Sequence, residues 1–314
     1  MHRLKQKTKY DIMPQKEKNM KQDEVKKYLV CEGRASVIIA RTTNMVEEYR
    51  NLKDLTPTTT AVMGRVITMA GLMGHTDMKD NYGNISIIID GNGPVGKIFA
   101  VANRQKNNVE VKACIGNGLV ELPRKSNGKI DVGAAVGNDG LLNVIYGDKD
   151  KKAQYTGMTE LVSGEIAEDF SKYYADSQQK PNVVALGVLV DKNGVKVAGG
   201  YKIELMPDAT EEDIEQIENA VKNAPTITEM LDEGKELNEI IEIITGNENS
   251  MTLVDKLSID YKCDCSKEKF GEILATLDKN EIKQMIEEDG QAEVCCQFCD
   301  KNYVFNKDEL TKLL

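Results

Sequence analysis

Cys263-Asp264-Cys265 and Cys296-Gln297-Phe298-Cys299 are two closely spaced cysteine pairs near the end of the 314-residue sequence. Thirty residues separate the pairs, and residues 263–314 contain five of the seven cysteines. Two such pairs can direct four thiolates toward one tetrahedral ion, for which zinc is the usual choice. Only His2 and His75 could supply imidazole ligands, so an all-sulfur site is the simpler solution. The pattern therefore predicts a zinc site formed by Cys263, Cys265, Cys296 and Cys299.

The first pair differs from the common form of a structural zinc knuckle. Its cysteines are separated by one residue, whereas most knuckles use two residues in both pairs. A C-x-C pair holds its sulfurs more tightly and can act as a dithiol. Because the thiolate is the form that oxidants attack, a site of four thiolates can also lose its metal on oxidation.

Further motifs accompany the cysteine pairs. The spacer ends in Ile286-Glu287-Glu288-Asp289-Gly290 and continues through Ala292-Glu293-Val294-Cys295 into the second pair. Upstream, Ser163-Gly164-Glu165-Ile166-Ala167-Glu168-Asp169-Phe170 precedes Tyr173-Tyr174 and Ser177-Gln178-Gln179. With C-D-C, these motifs make residues 28–314 resemble the redox-regulated holdase chaperones of the 33-kilodalton heat-shock family.

The resemblance implies a function. Proteins of that family hold zinc in the inactive state, and oxidation to two disulfides contributes to ATP-independent binding of unfolding proteins. For this chain it implies a redox-regulated, ATP-independent holdase, active under oxidative stress, whose partners are unfolded or misfolded client proteins. The expected disulfides are Cys263–Cys265 and Cys296–Cys299. Whether the oxidised form is a homodimer is left open by the sequence.

Cys295 departs from the family pattern, which usually has an aliphatic residue before the third ligand. A fifth thiol beside the site offers a wrong partner during oxidation. We expect that Cys295 is not a ligand but can join mixed disulfides once zinc leaves.

Composition and charge limit the classes of function. The net charge is −10, and residues 208–262 carry 15 acidic residues against 4 lysines. An acidic chain without a basic face is poorly suited to binding phosphate backbones. We therefore expect no nucleic-acid partner. The alternative is a zinc-knuckle nucleic-acid or ribosome-binding factor, which a salt-dependent shift of RNA would favour.

The chain is expected to be cytoplasmic and to have no membrane partner. No run approaches the roughly 18 apolar residues of a membrane span, and residues 1–7 are not followed by the apolar region of a signal peptide. Because cytoplasmic thiols are kept reduced, the cysteines indicate metal binding or redox sensing rather than permanent disulfides.

The predicted fold class is α+β. A disordered extension at 1–19 precedes a chaperone domain at 20–207, with a mainly antiparallel sheet and packed helices. Glycine turns at hairpin spacing separate the strands, and residues 58–74 are small or apolar on all sides, which predicts a buried helix. The predicted strands are 28–31, 35–40, 84–89, 95–102, 109–115, 132–136, 141–146, 183–190 and 195–205.

Residues 208–262 are predicted to form an acidic helical linker. Apolar residues at helical spacing lie on both sides of Pro225, and Thr226-Ile227-Thr228-Glu229 has the form of a capping box. Like charges four residues apart oppose such helices, so docking of the apolar face is expected to hold them. The pattern is compatible with an ordinary linker and with a metastable lid.

Residues 263–314 are predicted to be a small zinc-binding redox-sensor domain. Asn306 and Glu309 form a capping box for a final helix. About fifty residues bury too little apolar surface for a secure core, so zinc is expected to supply part of the folding energy.

Other candidate residues are interpreted as structural. The stretch Gly91-Asn92-Gly93-Pro94-Val95-Gly96-Lys97 has the spacing of a phosphate-binding loop, but Ile98 replaces the required Ser or Thr, so no nucleotide is expected. Cys31 and Cys114 lie in apolar, strand-like runs and are predicted to be core residues. No enzyme is expected, because His75 alone cannot supply a triad and four thiolates leave no coordination position for water.

Overall fold

A long mixed sheet forms the centre of the computed structural model, which describes residues 21–76, 83–147, 153–246 and 251–314. The predicted extension at 1–19 lies outside the described residues. The strands of this main sheet are β1 (Glu24–Val30), β2 (Ala35–Arg41), β3 (Gly83–Asp90), β4 (Ile98–Gln105), β5 (Asn108–Ile115), β6 (Leu141–Gly147), β7 (Ala153–Glu160), β8 (Asn182–Asp191), β9 (Gly194–Leu205) and β10 (Thr252–Tyr261).

The strands pair in the order β7-β6-β3-β4-β5-β10-β1-β2-β9-β8. Every neighbouring pair is antiparallel except β5 and β10, which run parallel and pair over residues 108–111 and 258–261. The predicted α+β class with a mainly antiparallel sheet is therefore confirmed. Strand β10 pairs with β5 on one side and with β1 on the other. It therefore joins the two halves of the main sheet.

The helices lie on both faces of the main sheet and around its end. Within the described residues, none combines the length and apolar character that a membrane span needs. The helices are α1 (Thr43–Lys53), α2 (Pro57–Thr76), α3 (Val132–Val136), α4 (Ala167–Gln178), α5 (Glu211–Asn223), α6 (Ile227–Asp232), α7 (Leu237–Thr245), α8 (Lys267–Leu274), α9 (Lys279–Glu288) and α10 (Lys307–Thr311), and a 3₁₀ turn spans Cys31–Gly33.

Helix α2 forms the principal core with one face of the main sheet, which confirms the buried helix predicted for residues 58–74. Its residues are buried on nearly all sides because it packs against sheet and helices at once. Gly71 permits a close approach to β10, since a Cβ atom at this position would lie 2.1 Å from Cδ1 of Ile259.

Helices α5, α6 and α7 of the acidic segment cover the opposite face of β1, β2 and β9. Their apolar side chains form a second core with Val37, Ile39 and Tyr201. The capping box predicted at Thr226 is present, because its hydroxyl accepts from the amide of Glu229. The helical side chains buried in this second core are Ile217, Ile227, Met230, Leu231, Leu237, Ile240, Ile241 and Ile244.

The last residues form a small unit of α8, α9, α10 and a hairpin of β11 (Gln291–Cys295) and β12 (Asn302–Asn306). The predicted capping box of the final helix is present, with the Asn306 side chain accepting from the amide of Glu309 at 3.0 Å. The fully buried core of this unit is small, and its members are Leu274, Ile282, Phe305 and Leu310.

Residues 132–136 form helix α3, so the strand predicted there is wrong. The carboxylate of Asp131 accepts from the amide of Ala134 at 3.0 Å and caps the helix. The adjacent small residues let it pack closely, since a Cβ atom on Gly133 would lie 2.6 Å from the carbonyl oxygen of Ser163. The cap and the close packing outweigh the strand propensity of the two valines.

Residues 252–261 form β10, a strand within the segment 208–262 that is predicted from the sequence as a helical linker. Leu257, Ile259 and Tyr261 are buried and alternate with more exposed residues, which is the period of a strand. Helix α1 and strand β7 were also not predicted. The domain boundaries at 207 and 262 remain predictions.

Candidate metal centre

Two loops bring the four cysteines together. Cys263 and Cys265 follow β10, and Cys296 and Cys299 lie in the turn between β11 and β12. All four sulfur atoms lie within 4.8 Å of one another. The Sγ atoms of Cys263 and Cys296 are 3.6 Å apart, and those of Cys265 and Cys299 are 3.3 Å apart. The residues that the spacing predicts as ligands thus form one cluster.

The second pair lies in a tight turn stabilised by its own backbone. The amide of Asp300 donates to the carbonyl of Cys296 at 2.8 Å, and the amide of Cys296 donates to the carbonyl of Lys301 at 2.9 Å. Asp300 adopts the left-handed conformation with φ of 56°, which aspartate tolerates better than most residues. Cys296 and Cys299 are only 2% and 8% exposed, so the turn holds both sulfurs in the interior.

Cys263, Cys265 and Cys299 have shifted pKa values, because these thiols are partly or fully removed from solvent and lie close to other thiols. Burial raises the pKa of Cys263, and its hydrogen bonds with the neighbouring thiols raise it further. Burial also opposes ionisation of Cys265, but the hydroxyl of Tyr303, 3.1 Å from its sulfur, and the adjacent thiols lower the pKa of Cys265 to about 7. Burial raises the pKa of Cys299 to about 11. Of these three thiols, Cys265 has the lowest pKa.

The donor set fits a thiophilic metal ion. The cluster consists of four sulfurs, which is the donor set of structural zinc sites. Zinc–sulfur bonds of about 2.3 Å in a tetrahedron place the sulfurs about 3.8 Å apart. The cluster needs only small adjustments to reach that spacing, since its two measured pairs are 3.6 and 3.3 Å apart.

The turn of the second pair rests on the main sheet. The ring of Phe298 lies 5.8 Å from that of Phe99 on β4, measured between ring centroids. Nζ of Lys112 on β5 lies 5.0 Å from the Phe298 ring centroid, and the hydroxyl of Tyr261 on β10 donates to the Phe298 carbonyl at 2.7 Å. Lys53 donates to the carbonyl of Gln297 at 2.9 Å. The candidate centre thus contacts four elements of the sheet domain, namely β4, β5, β10 and α1.

Most of the residues that hold the candidate centre against the sheet domain are not identified from the sequence. Tyr303, Lys53 and Lys112 lie far from the cysteines in the sequence or carry no motif, so no local signal marks them. Only Phe298 could have been noticed, as an aromatic residue inside the second pair.

The remaining cysteines lie outside the cluster. Cys295 is exposed at the end of β11. Cys31 is buried, which confirms its prediction as a core residue. Cys114 is only partly buried, so its prediction as a core residue is wrong; its side of β5 is covered by the turn at Phe298 rather than by α2.

The loop at Gly91 lacks the context of a phosphate-binding loop. Strand β4 begins at Ile98, directly after Lys97, as the sequence indicates for a hairpin connection. Lys97 is exposed and lies 3.4 Å from the carboxylate of Asp90. Without a following helix, the backbone amides do not converge at a helix N-terminus.

Comparison with known proteins places both the sheet domain and the cysteine cluster in one family. The family model of the Hsp33 protein matches residues 23–306. The chain belongs to the Hsp33 family. It is 42% identical to the 33 kDa chaperonin of Clostridioides difficile, over 90% of this chain and 95% of the relative. It is 40% identical to the 33 kDa chaperonin of Acetivibrio thermocellus, over 90% and 94%.

A solved structure of the Hsp33 family has the same fold. The crystal structure of the 33 kDa chaperonin, a heat shock protein 33 homologue, from Thermotoga maritima matches with a TM-score of 0.83. The two chains are 34% identical, and the match covers 93% of this chain and 98% of the other. The protein is thus an Hsp33-family chaperone, and its four-cysteine cluster fits a zinc or redox site.

Proposed function

We propose that this Hsp33-family protein is a cytoplasmic, redox-regulated holdase that binds unfolding proteins without ATP under oxidative stress. The observation that carries the proposal is the position of the cysteine cluster. Cys263 is separated by one residue from β10, which is in turn paired inside the main sheet. The cluster and the sheet domain are therefore joined both by the chain and by contacts.

Cys263, Cys265, Cys296 and Cys299 would hold zinc as thiolates in the reduced protein. When bound, zinc would cross-link the two loops and contribute folding energy, for which apparent values in zinc-finger peptides are about 10 to 16 kcal/mol. The buried core of the C-terminal unit consists of four apolar side chains. The thiolates are therefore expected to be essential for the folding of this unit.

Oxidation of the thiolates to Cys263–Cys265 and Cys296–Cys299 disulfides would remove the ligands. Both disulfides close short loops, which constrain the unfolded chain less than long loops do. The C-terminal unit would loosen, and its hydrogen bonds to the sheet domain, such as that from Tyr261 to Phe298, would break.

The client-binding surface would be the apolar face that the acidic helices cover. Val37, Ile39, Tyr201 and Ile203 lie in the core beneath α5, α6 and α7. Residues 208–246, which include α5, α6 and α7, carry 12 acidic residues against 2 lysines, so their own charge repulsion favours departure once their neighbours loosen. Departure would expose two complementary apolar surfaces, one on the sheet and one on the helices.

Catalysis and nucleotide binding form no part of the proposed function. Four sulfur ligands complete a tetrahedral site and leave no position for a reactive water. The strand that follows Lys97 removes the basis for a phosphate-binding loop. Nucleic acid and membranes are likewise not proposed as partners, and client proteins are the proposed ligands.

The test measures zinc release and suppression of aggregation of a heat-denatured client together. Reduced protein should contain one zinc per chain and protect weakly, and peroxide-treated warm protein should lose zinc and protect strongly, with or without ATP and Mg²⁺. Cys296→Ser should lower zinc content, whereas the matched control Cys295→Ser should keep it. Equal protection by reduced and oxidised wild-type protein would contradict the proposal.

A further inference from the structure

Strand β5 presents one face to α2 and the other to the candidate metal centre. Glu110, Lys112 and Cys114 alternate with the buried residues and therefore lie on the face away from α2. Cys114 pairs in register with Phe99 on β4, so these two side chains are cross-strand neighbours on that face. The residues of β5 on the α2 side are Val109, Val111 and Ala113, all completely buried.

Phe298 places the second cysteine pair over this thiol. Its ring contacts Phe99, the cross-strand neighbour of Cys114, with 5.8 Å between centroids. Its other partner is Lys112, two residues before Cys114 on the same face, with Nζ 5.0 Å from the ring centroid. Because Phe298 lies between Cys296 and Cys299 in sequence, Cys114 lies beneath the turn that carries both.

Electrostatic contacts agree with this placement. Burial raises the pKa of Cys114, Lys53 opposes that rise, and Cys296 adds to it. Lys53 also donates to the carbonyl of Gln297 at 2.9 Å and to the carboxylate of Asp300 at 2.5 Å. The same ammonium group is therefore near the thiol on the sheet and bonded to the turn above it.

A buried tyrosine of the core on the α2 side lies near the same thiol. Tyr49 is completely buried, and within the described residues its hydroxyl has no hydrogen-bond partner. Burial is the main cause that raises the pKa of Tyr49, and Cys114 and Asp300 are the next causes. Tyr49 thus belongs to the core on the α2 side of the sheet and lies near enough to Cys114 to interact with it electrostatically.

We propose that Cys114 is a further redox thiol, which forms a disulfide with Cys296 and so links β5 to the cysteine turn. In the first step, hydrogen peroxide oxidises the Cys296 thiolate to a sulfenic acid and is itself reduced to hydroxide. In the second step, the sulfur of Cys114 attacks the sulfenic sulfur, the S–S bond forms and water leaves. Overall, two thiols and one peroxide give one disulfide and two waters.

This disulfide would oppose the opening of the protein. It competes with the Cys296–Cys299 disulfide for the same sulfur and fixes the turn to the sheet. The end of β10, bonded to that turn through Tyr261, would stay in place. The inference rests on the proposed function only in that Cys296 must first be free of metal. A dithiol reductant should reverse the link.

The test is disulfide mapping of the full-length protein after peroxide treatment and alkylation of free thiols. A cross-linked peptide pair containing Cys114 and Cys296 should be at least five times more abundant than any pair containing Cys31. The pair should be lost in Cys114→Ser and kept in Cys31→Ser, which removes another cysteine of the sheet domain. In Cys114→Ser, hydrogen exchange of residues 257–261 after oxidation should be faster than in wild type.

Two results would overturn the inference. One is a Cys114 thiol that remains fully alkylatable in wild-type protein in which Cys296 is oxidised. The other is equal yield of pairs containing Cys31, which would indicate random disulfide exchange. Mapping of wild-type protein decides the matter even if a variant folds poorly. Mapping is also independent of client protection, so the link can be found even if the proposed switch fails.

Discussion

At the scale of single residues, His75 is a buried base near the end of α2, close to Asp255 and Arg104. Its Nε2 atom lies 3.4 Å from the carboxylate of Asp255 on β10, and within the described chain neither ring nitrogen has a hydrogen-bond partner. Burial is the largest cause that lowers the pKa of His75 to about 4, followed by Arg104, while Asp255 opposes the shift and Lys27 adds to it. The imidazole is therefore neutral at neutral pH.

This shift predicts a pH dependence of stability. An unperturbed histidine has a pKa near 6.5, so between about pH 6.5 and 4 the unfolded chain binds more protons than the folded chain. His75 alone should lower the free energy of unfolding by about 3 kcal/mol as the pH decreases through this window, whereas Asp23, whose pKa burial raises to about 6, opposes this change. Urea unfolding across the window should therefore show a larger loss of stability on acidification in wild type than in His75→Gln. His2→Gln is the control and should keep the wild-type slope; equal slopes in all three proteins would contradict the prediction.

At the scale of secondary structure, local signals were predictable and non-local placement was not. Helix α2 and the caps at Thr226 and Asn306 follow from patterns within a few residues, and the structure confirms them. Buried and exposed residues alternate in β10 as in a strand. Its position between β5 and β1, however, depends on residues about 150 and 230 positions earlier in the chain. The cluster of four cysteines was predictable from their spacing. The contact of Phe298 with Phe99 was not, because no local sequence pattern indicates that these two residues lie together.

The contact of β10 with α2 predicts an effect of adding one methyl group. In Gly71→Ala the new Cβ would lie 2.1 Å from Ile259 of β10, so the strand or the helix must shift. Overpacking of this kind costs about 1 to 3 kcal/mol, more than the gain of up to about 1 kcal/mol that alanine brings to a helix. Hydrogen exchange of residues 257–261 should become at least tenfold faster.

Gly64→Ala is the matched control for this effect. Gly64 lies on the same helix as Gly71. A Cβ atom at position 64 would lie 2.6 Å from Val188 of β8 and 2.8 Å from Val46 of α1, but it would not crowd β10. The substitution should lower the urea midpoint with less local effect at β10. The same exchange rates at residues 257–261 in both variants would show that Gly71 has no specific role in seating β10.

At the scale of the whole molecule, the acidic helices are held on the sheet by apolar packing and by a few basic residues of the sheet domain. Arg34, next to β2, donates two hydrogen bonds to the carboxylate of Asp213 on α5, at 2.7 and 3.0 Å. The Arg34 guanidinium is the main cause that holds the pKa of Asp213 well below its usual range, and the amide of Thr210 is the next. Lys21 forms an ion pair with Glu236 before α7. Such pairs fix an acidic segment whose own charges repel.

Removal of one of these anchors should loosen the acidic helices while the cysteine cluster stays intact. Arg34→Ala leaves Asp213, a nearly buried carboxylate, without its bidentate partner, and unpaired charges of this kind destabilise the structure that buries them. If the covered face of β1, β2 and β9 binds clients, reduced Arg34→Ala should suppress client aggregation several times better than reduced wild type, with unchanged zinc content. Arg124→Ala is the control, since Arg124 bonds only to the nearby carbonyl of Gly128 among the described residues. Equal protection by the two reduced variants would mean that release of α5 does not uncover the client-binding surface, and that the opening of the metal centre acts on another part of the sheet domain.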